Sequence, residues 1–178
     1  MMTGAYEYAR ALFMISEEEH SSDRVMADVK LAKEAFASNP TYADLLDTPA
    51  LEKSERLSLI DKAFSSLDVS LVNLIKILAE KRLSYLFPKL ADEYAALYDE
   101  SRGILRAEAV TAIPLTETQS KTLTRKLSAL TGKTVILSNT TDKSILGGAL
   151  LRYSGIQLDG SVKTRLDKFE AALKSAVI

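Results

Sequence analysis

Leu97-Tyr98-Asp99-Glu100-Ser101-Arg102-Gly103-Ile104-Leu105-Arg106-Ala107-Glu108-Ala109-Val110-Thr111-Ala112, residues 97–112, holds the change of pattern that divides this chain. Up to Gly103 the apolar residues recur at helical intervals, with Leu90, Tyr94, Leu97 and Tyr98 on one side. Pro88 opens that helix, since proline suits a first turn and not an interior. Gly103 stops it, because glycine enters the left-handed conformation past a helix end most easily. From Ile104 to Ala112 the residues are small or β-branched and read as a strand.

Toward the amino terminus everything reads as helix. Tyr8, Leu12 and Ile15 form one stripe, with Ala5 and Ala9 beside it. His20-Ser21-Ser22-Asp23 interrupts this helix and offers caps for the next, whose stripe is Val25, Val29, Ala32 and Phe36. Asn39-Pro40 ends one helix and starts a short one through Leu45 and Leu46, and Thr48-Pro49 repeats the punctuation. Leu57, Ile60 and Phe64 mark a fourth helix. Asp68 or Ser70 caps a fifth, with Leu71, Leu74, Ile75 and Leu78 inside. Six short helices with brief connections predict a bundle over residues 1–103.

Toward the carboxy terminus the elements alternate. Pro114 breaks the first strand, and Thr116 with Gln119 forms a capping-box pair for a helix lined by Leu123, Leu127 and Leu130. Gly132 ends it. Thr134 to Ser138 reads as a strand, Asn139 to Lys143 as a polar turn, and Ile145 to Tyr153 as a strand containing Gly147-Gly148. Ile156 to Leu158 is a short extended piece, and Val162, Leu166, Phe169 and Leu173 line a last helix. The expected fold class is therefore an α-helical bundle amino-terminal domain of six helices, followed by a small α/β carboxy-terminal domain over 104–178.

Charge follows the same division. Residues 1–103 hold 12 basic and 18 acidic side chains, net −6; residues 104–178 hold 11 and 6, net +5. Opposite signs suggest two domains facing different partners. Composition excludes several chemistries. There is no cysteine, and His20 is the one histidine, so neither thiolate chemistry nor a histidine metal cluster is available. No apolar run approaches the about 20 residues needed to cross a bilayer, and Met1 to Arg10 lacks the pattern of a signal peptide. Gly147-Gly148 is not a phosphate loop, because no Gly-Lys-Ser/Thr follows it; close backbone approach or a bulge explains it better. Asp142 and Asp159 could be paired as an acid and a base, but both read as turn residues and no nucleophile accompanies them. The basic residues of the second half are dispersed and have only Tyr153 and Phe169 as aromatics among them, which disfavours nucleic acid. The residues alone lead to the expectation of a two-domain, non-enzymatic, soluble protein with no cofactor.

Four motifs extend that reading. Tyr8-Ala9-Arg10-Ala11-Leu12-Phe13 resembles the opening of the ATP synthase delta and oligomycin-sensitivity-conferring protein family. Asn73-Leu74-Ile75 followed by Leu78-Ala79-Glu80-Lys81-Arg82-Leu83 resembles its central run. Asp142-Lys143-Ser144-Ile145-Leu146-Gly147-Gly148 and Leu158-Asp159-Gly160-Ser161-Val162 with Arg165-Leu166 are similar to its two closing segments. The resemblance covers nearly the whole chain in order; residues 38–68 carry little of it.

This resemblance implies a non-catalytic stator subunit that joins the catalytic head of an F-type ATP synthase to its peripheral stalk, the alternative being an adaptor of another assembly. It implies a cleft between the first and fifth helices that receives the amino-terminal helix of an alpha subunit, with Tyr8, Ala11, Leu12, Ile15, Asn73, Leu74 and Ile77 as the contact residues. It implies a second site for the b subunit of the stalk, at Gly147, Gly148, Val162, Leu166 and Phe169. The expected location is peripheral, on the cytoplasmic face of a bacterial plasma membrane, with membrane contact only through the complex.

Overall fold

Small residues at the right intervals let helices approach closely, and the first helix is built that way. In a computed structural model that describes residues 4–145, 147–153 and 156–160, α1 (Gly4–Glu18) buries Ala5, Ala9, Leu12 and Ser16 along one line. It is followed by α2 (Ser22–Ser38), α3 (Pro40–Asp47), α4 (Lys53–Phe64), α5 (Val69–Glu80), a 3-10 turn at Ser84–Leu86, and α6 (Phe87–Ser101). The chain divides into two compact units, Met1–Tyr98 and Asp99–Ile178.

The core of the first unit contains the stripes read from the sequence: Val25, Val29, Ala32 and Phe36 from α2, Ile60 and Phe64 from α4, and Leu71, Leu74, Ile75 and Leu78 from α5. Phe36 is its aromatic centre, stacked on Phe87 at 4.8 Å and on Phe64 at 5.9 Å between ring centroids, with Tyr42 edge-on at 5.6 Å. Phe87 begins α6 one residue ahead of Pro88, which therefore sits within the first turn.

Punctuation is partly as expected. Asn39 ends α2 and Pro40 opens α3. The Asp68 carboxylate accepts from the Ser70 N–H at 2.9 Å, so Asp68 is the cap of α5. Ser21 stands at the start of α2 but does not cap it; its hydroxyl donates back to the Ser16 carbonyl at 3.4 Å. His20 turns the chain at φ 53 and is exposed. Ile15 stands outside the core. It is 44% exposed, and Ser16 occupies the buried position instead. There the Tyr94 hydroxyl lies 2.9 Å from the Ser16 hydroxyl, which itself donates to the Phe13 carbonyl at 2.8 Å. A satisfied polar pair costs little to bury, so serine can take a place that periodicity assigned to an apolar residue.

The second unit is a four-stranded sheet with strand order β2-β1-β3-β4. The strands are β1 (Ile104–Thr111), β2 (Thr134–Thr141), β3 (Ala149–Tyr153) and β4 (Ile156–Asp159). β1 and β2 are parallel, Ile104 opposite Thr134, and the crossover between them is α7 (Glu117–Thr131). β3 runs antiparallel to both β1 and β4. The capping box of Thr116 and Gln119 is complete, and Gly132 closes α7 at φ 69. Leu127 packs on Leu105, Ala107 and Val135, with Leu123, Leu137, Leu151 and Tyr153 around them. Alternation puts Arg106, Glu108 and Arg152 on the opposite face, where Arg152 reaches Glu108 at 3.5 Å and Arg106 pairs with Asp99 at 2.5 and 2.9 Å.

Two strand boundaries differ from the sequence reading by three or four residues. β2 continues through Asn139 to Thr141 instead of turning at Asn139, because the Asn139 amide is held by the neighbouring strand. Its Nδ2 donates to the Ala109 carbonyl at 2.8 Å and to Thr111 Oγ1 at 2.9 Å, while its Oδ1 accepts from the Leu115 N–H at 2.8 Å. β3 begins at Ala149 and not at Ile145, so Gly147 and Gly148 precede the strand, and Gly148 has φ 85. A left-handed residue does not fit a ladder, and glycine adopts that conformation without strain. Val162, Leu166, Phe169 and the expected last helix lie outside the described residues.

Candidate functional site

Two side-chain contacts tie α1 to α5. Lys81, just past the end of α5, donates from Nζ to Tyr8 Oη at 3.1 Å and stands 5.5 Å from the Tyr8 ring centroid. At the other end Ser70 Oγ reaches Glu19 Oε2 at 3.5 Å. Tyr8 and Glu19 are eleven residues apart, as are Ser70 and Lys81, so one register satisfies both contacts. The helices are therefore antiparallel, with Leu12 level with Ile77 and Ile15 level with Leu74.

That register brings together all the residues expected on this face. Leu12 and Leu74 are buried along the seam between the two helices, which makes that seam a candidate cleft. Ala11 and Ile15 stand exposed along the α1 wall, Asn73 and Ile77 along the α5 wall, and Tyr8 is half-buried at one end. Ile15 and Ile77 are each nearly half exposed, at 44% and 45%. Two branched apolar side chains on the facing lines of α1 and α5 leave an apolar strip in contact with solvent, and Met14 of α1 and Val69 of α5 are exposed as well, at 52% and 72%. The sequence reading did not single out Lys81 or Glu19. Lys81 follows Ile77 by four residues, so helical spacing alone puts it on this line.

The second unit carries a different concavity. A cleft of about 720 Å³ lies between the β1–α7 connection, α7 and the turn before β3. Ile113, Pro114, Leu115 and Leu123 supply its apolar lining, and Gly147 and Gly148 leave bare backbone on the facing side. Ile113 is 75% exposed at its lip. Gly147 and Gly148 thus belong to a mostly apolar concave surface; Ile113 and Leu115 were missed because a short loop has no periodicity to betray them. A smaller cleft of about 470 Å³ on the opposite sheet face is bordered by Arg106, Glu108 and Arg152, whose charges are already paired.

Neither surface is arranged for chemistry. Asp142 is spent on its own turn: Oδ1 accepts from the Ser144 N–H at 2.8 Å, and that bond holds its carboxyl below the usual range. Asp159 lies in β4 opposite Leu150 rather than in a turn. Among the described residues no cluster of His, Cys, Asp and Glu has the arrangement of a metal site, and no helix is long and apolar enough to cross a membrane.

Residues 5–173 match the family model described as ATP synthase delta (OSCP) subunit. The chain belongs to that family. Among its delta-family relatives, ATP synthase subunit delta of Clostridioides difficile is 35% identical over 176 residues, covering 97% of each chain. The subunit delta of a Geobacillus strain is 31% identical over 170 residues, covering 95% of this chain and 96% of its own. The fold is similar to a chain of the Toxoplasma gondii mitochondrial ATP synthase hexamer, with a TM-score of 0.76, 22% identity, and coverage of 97% and 98%. A delta-family chain is a non-catalytic subunit of the synthase, the stator link between catalytic head and peripheral stalk.

Proposed function

We propose that the stator link is divided between the two units, each gripping its own partner. The α1–α5 cleft of the first unit receives the amino-terminal helix of an alpha subunit. The cleft around Ile113, Leu123, Gly147 and Gly148 in the second unit receives the b subunit of the peripheral stalk. On this reading the chain sits peripherally, at the cytoplasmic face of a bacterial plasma membrane.

The observation that carries this reading is the pair Ile15 and Ile77 flanking the buried seam of Leu12 and Leu74. An amphipathic helix recognises such a cleft through apolar residues three and four apart. The physical demand is mechanical. The rotor exerts torque on the catalytic head, and the head must not follow it. A link meets that demand by slow dissociation: nanomolar affinity is about 12 kcal/mol, which a desolvated apolar centre with a polar rim can supply.

Calorimetric titration with a synthetic alpha amino-terminal peptide tests the first site. Ile15→Asp and Ile77→Asp each place a charge at the centre of the contact, and each weakens binding by about 2–4 kcal/mol, the cost of a lost hot spot. Because both side chains face solvent, the circular dichroism spectrum and melting temperature of each variant stay near those of the parent. Unchanged affinity in both variants would remove the α1–α5 cleft as the binding face.

A further inference from the structure

An open sheet has two edges, and this one treats them differently. β4, at one edge, has four residues, and a strand that short offers little to a neighbour. β2, at the other edge, has eight and pairs with β1 over its whole length without a bulge. From Thr134 to Thr141 it holds no charged residue and no proline, the residues that ordinarily keep a further strand off an edge.

The backbone bonds show which groups are left open. In a parallel ladder the N–H and C=O of one residue point to the same side, and successive residues alternate. The Thr134 N–H donates to the Gly103 carbonyl and the Asp142 N–H to the Thr111 carbonyl, both at 2.9 Å. Thr134, Ile136, Ser138 and Thr140 therefore bond toward β1. Val135, Leu137, Asn139 and Thr141 turn their N–H and C=O outward, where no strand of the described residues meets them. Side chains alternate as well. Leu137 lies partly buried on the α7 side, and Ile136 is 44% exposed on the other, so a strand laid here finds apolar contact on both faces.

Charge narrows what that strand is. Lys133 precedes β2 and Lys143 follows it, so the uncharged edge is bracketed by cations. Both are exposed, and neither is ion-paired with a described residue. Residues 104–178 carry a net charge of +5, so a second copy of this edge would meet like charge. We infer that β2 is a docking edge for an extended segment of a partner protein, added as a fifth strand, uncharged and β-branched in its middle and acidic at both ends. Backbone bonds to the four outward residues give such a segment its affinity, and the two lysines select it. None of the residues 133–143 lines either cleft assigned above to a partner, so this contact stands apart from both.

The test uses the full chain, isotopically labelled, and two twelve-residue peptides with blocked ends. Both alternate threonine and valine over their middle eight residues; one carries two glutamates at each end, the other two lysines. At saturating glutamate peptide, amide exchange slows about tenfold or more at Val135, Leu137 and Asn139, and stays as it was at Ile136 and Ser138, whose N–H groups are already bonded to β1. The lysine peptide binds on the order of fivefold more weakly at low salt, the size expected for two exposed ion pairs, and Lys133→Glu with Lys143→Glu reverses that order. Thr141→Pro removes an outward N–H that no ladder uses, so it keeps the melting temperature near the parent's and weakens the glutamate peptide. If that variant does not fold, the exchange pattern and the charge reversal decide alone. No slowing at the three outward amides, or equal slowing at inward and outward ones, would overturn the added strand. Equal affinity for the two peptides would overturn its acidic ends. Outward amides that are slow in the chain alone, and quicken on dilution, would show a second copy on this edge and overturn the partner segment.

Discussion

Tyr94 shows how much one side chain organises. Its ring is fully buried against Phe13, edge-on at 6.0 Å, and its hydroxyl meets Ser16 across the bundle. Burial pushes its pKa up to about 12 from 10.0. Raising a folded-state pKa means that the folded chain holds a proton which the unfolded chain releases earlier. The associated stability is complete below pH 10 and is lost as pH rises toward 12. Denaturant titrations across that window should show falling stability in the parent and a flatter profile in Tyr94→Phe. At neutral pH the same variant loses about 1 kcal/mol, the net worth of one buried hydrogen bond. Asp142 behaves in the opposite sense. Its carboxyl is held low by the Ser144 N–H, so its contribution is present above the unfolded-state pKa and disappears as pH falls through the folded one. Ser16 explains why burial along α1 passes from Leu12 to a serine and leaves Ile15 outside the core. Helical spacing marks where an apolar residue would be buried; it does not reveal that a distant tyrosine makes serine acceptable there.

Among the elements, helices were more legible than strand ends. The α2 and α5 stripes, the Asn39-Pro40 junction, the Asp68 cap and the Thr116–Gln119 box all rest on local chemistry that spacing exposes. The ends of β2 and β3 rest on tertiary chemistry. Asn139 reads as a turn former until Ala109, Thr111 and Leu115 give its amide three partners. Asn139→Ala should therefore leave a carbonyl and an N–H without these bonds and destabilise the second unit by about 1–2 kcal/mol, measurable as faster amide exchange at Leu115. Gly148 makes a companion case. Its φ of 85 costs a side chain roughly 1–2 kcal/mol. Gly148→Ala should lower the melting temperature of the chain and weaken binding of the b subunit, and leave affinity for the alpha peptide unchanged. Equal losses toward both partners would show that the turn before β3 serves general stability instead.

For the whole molecule, division of labour makes a separable prediction. Ile15→Asp with Ile77→Asp abolishes capture of the alpha helix and preserves binding to the b subunit; Ile113→Asp does the reverse, because Ile113 stands at the lip of the second cleft. Either set, reconstituted into the synthase, leaves ATP hydrolysis running while ion transport falls, since catalysis belongs to other subunits. A set that abolished hydrolysis itself would contradict a purely mechanical role. The division into an all-helical first half and a small α/β second half was legible because the periodicity changes at Gly103 and the net charge changes sign there. The faces were legible only in part. Tyr8 to Ile15 and Asn73 to Ile77 could be named from motifs, but that they confront one another depends on how α5 returns beside α1, which no local pattern encodes.

The antiparallel seating of α1 beside α5 also bears on biosynthesis. The cleft is composed from α1 and from a helix that leaves the ribosome roughly sixty residues after it, and Lys81 is the last residue to join it. A nascent or truncated chain has α1 but no opposite wall. If this face is the helix-binding one proposed above, capture of a neighbour waits until nearly the whole helical unit has been translated, and incomplete chains are kept out of the assembly.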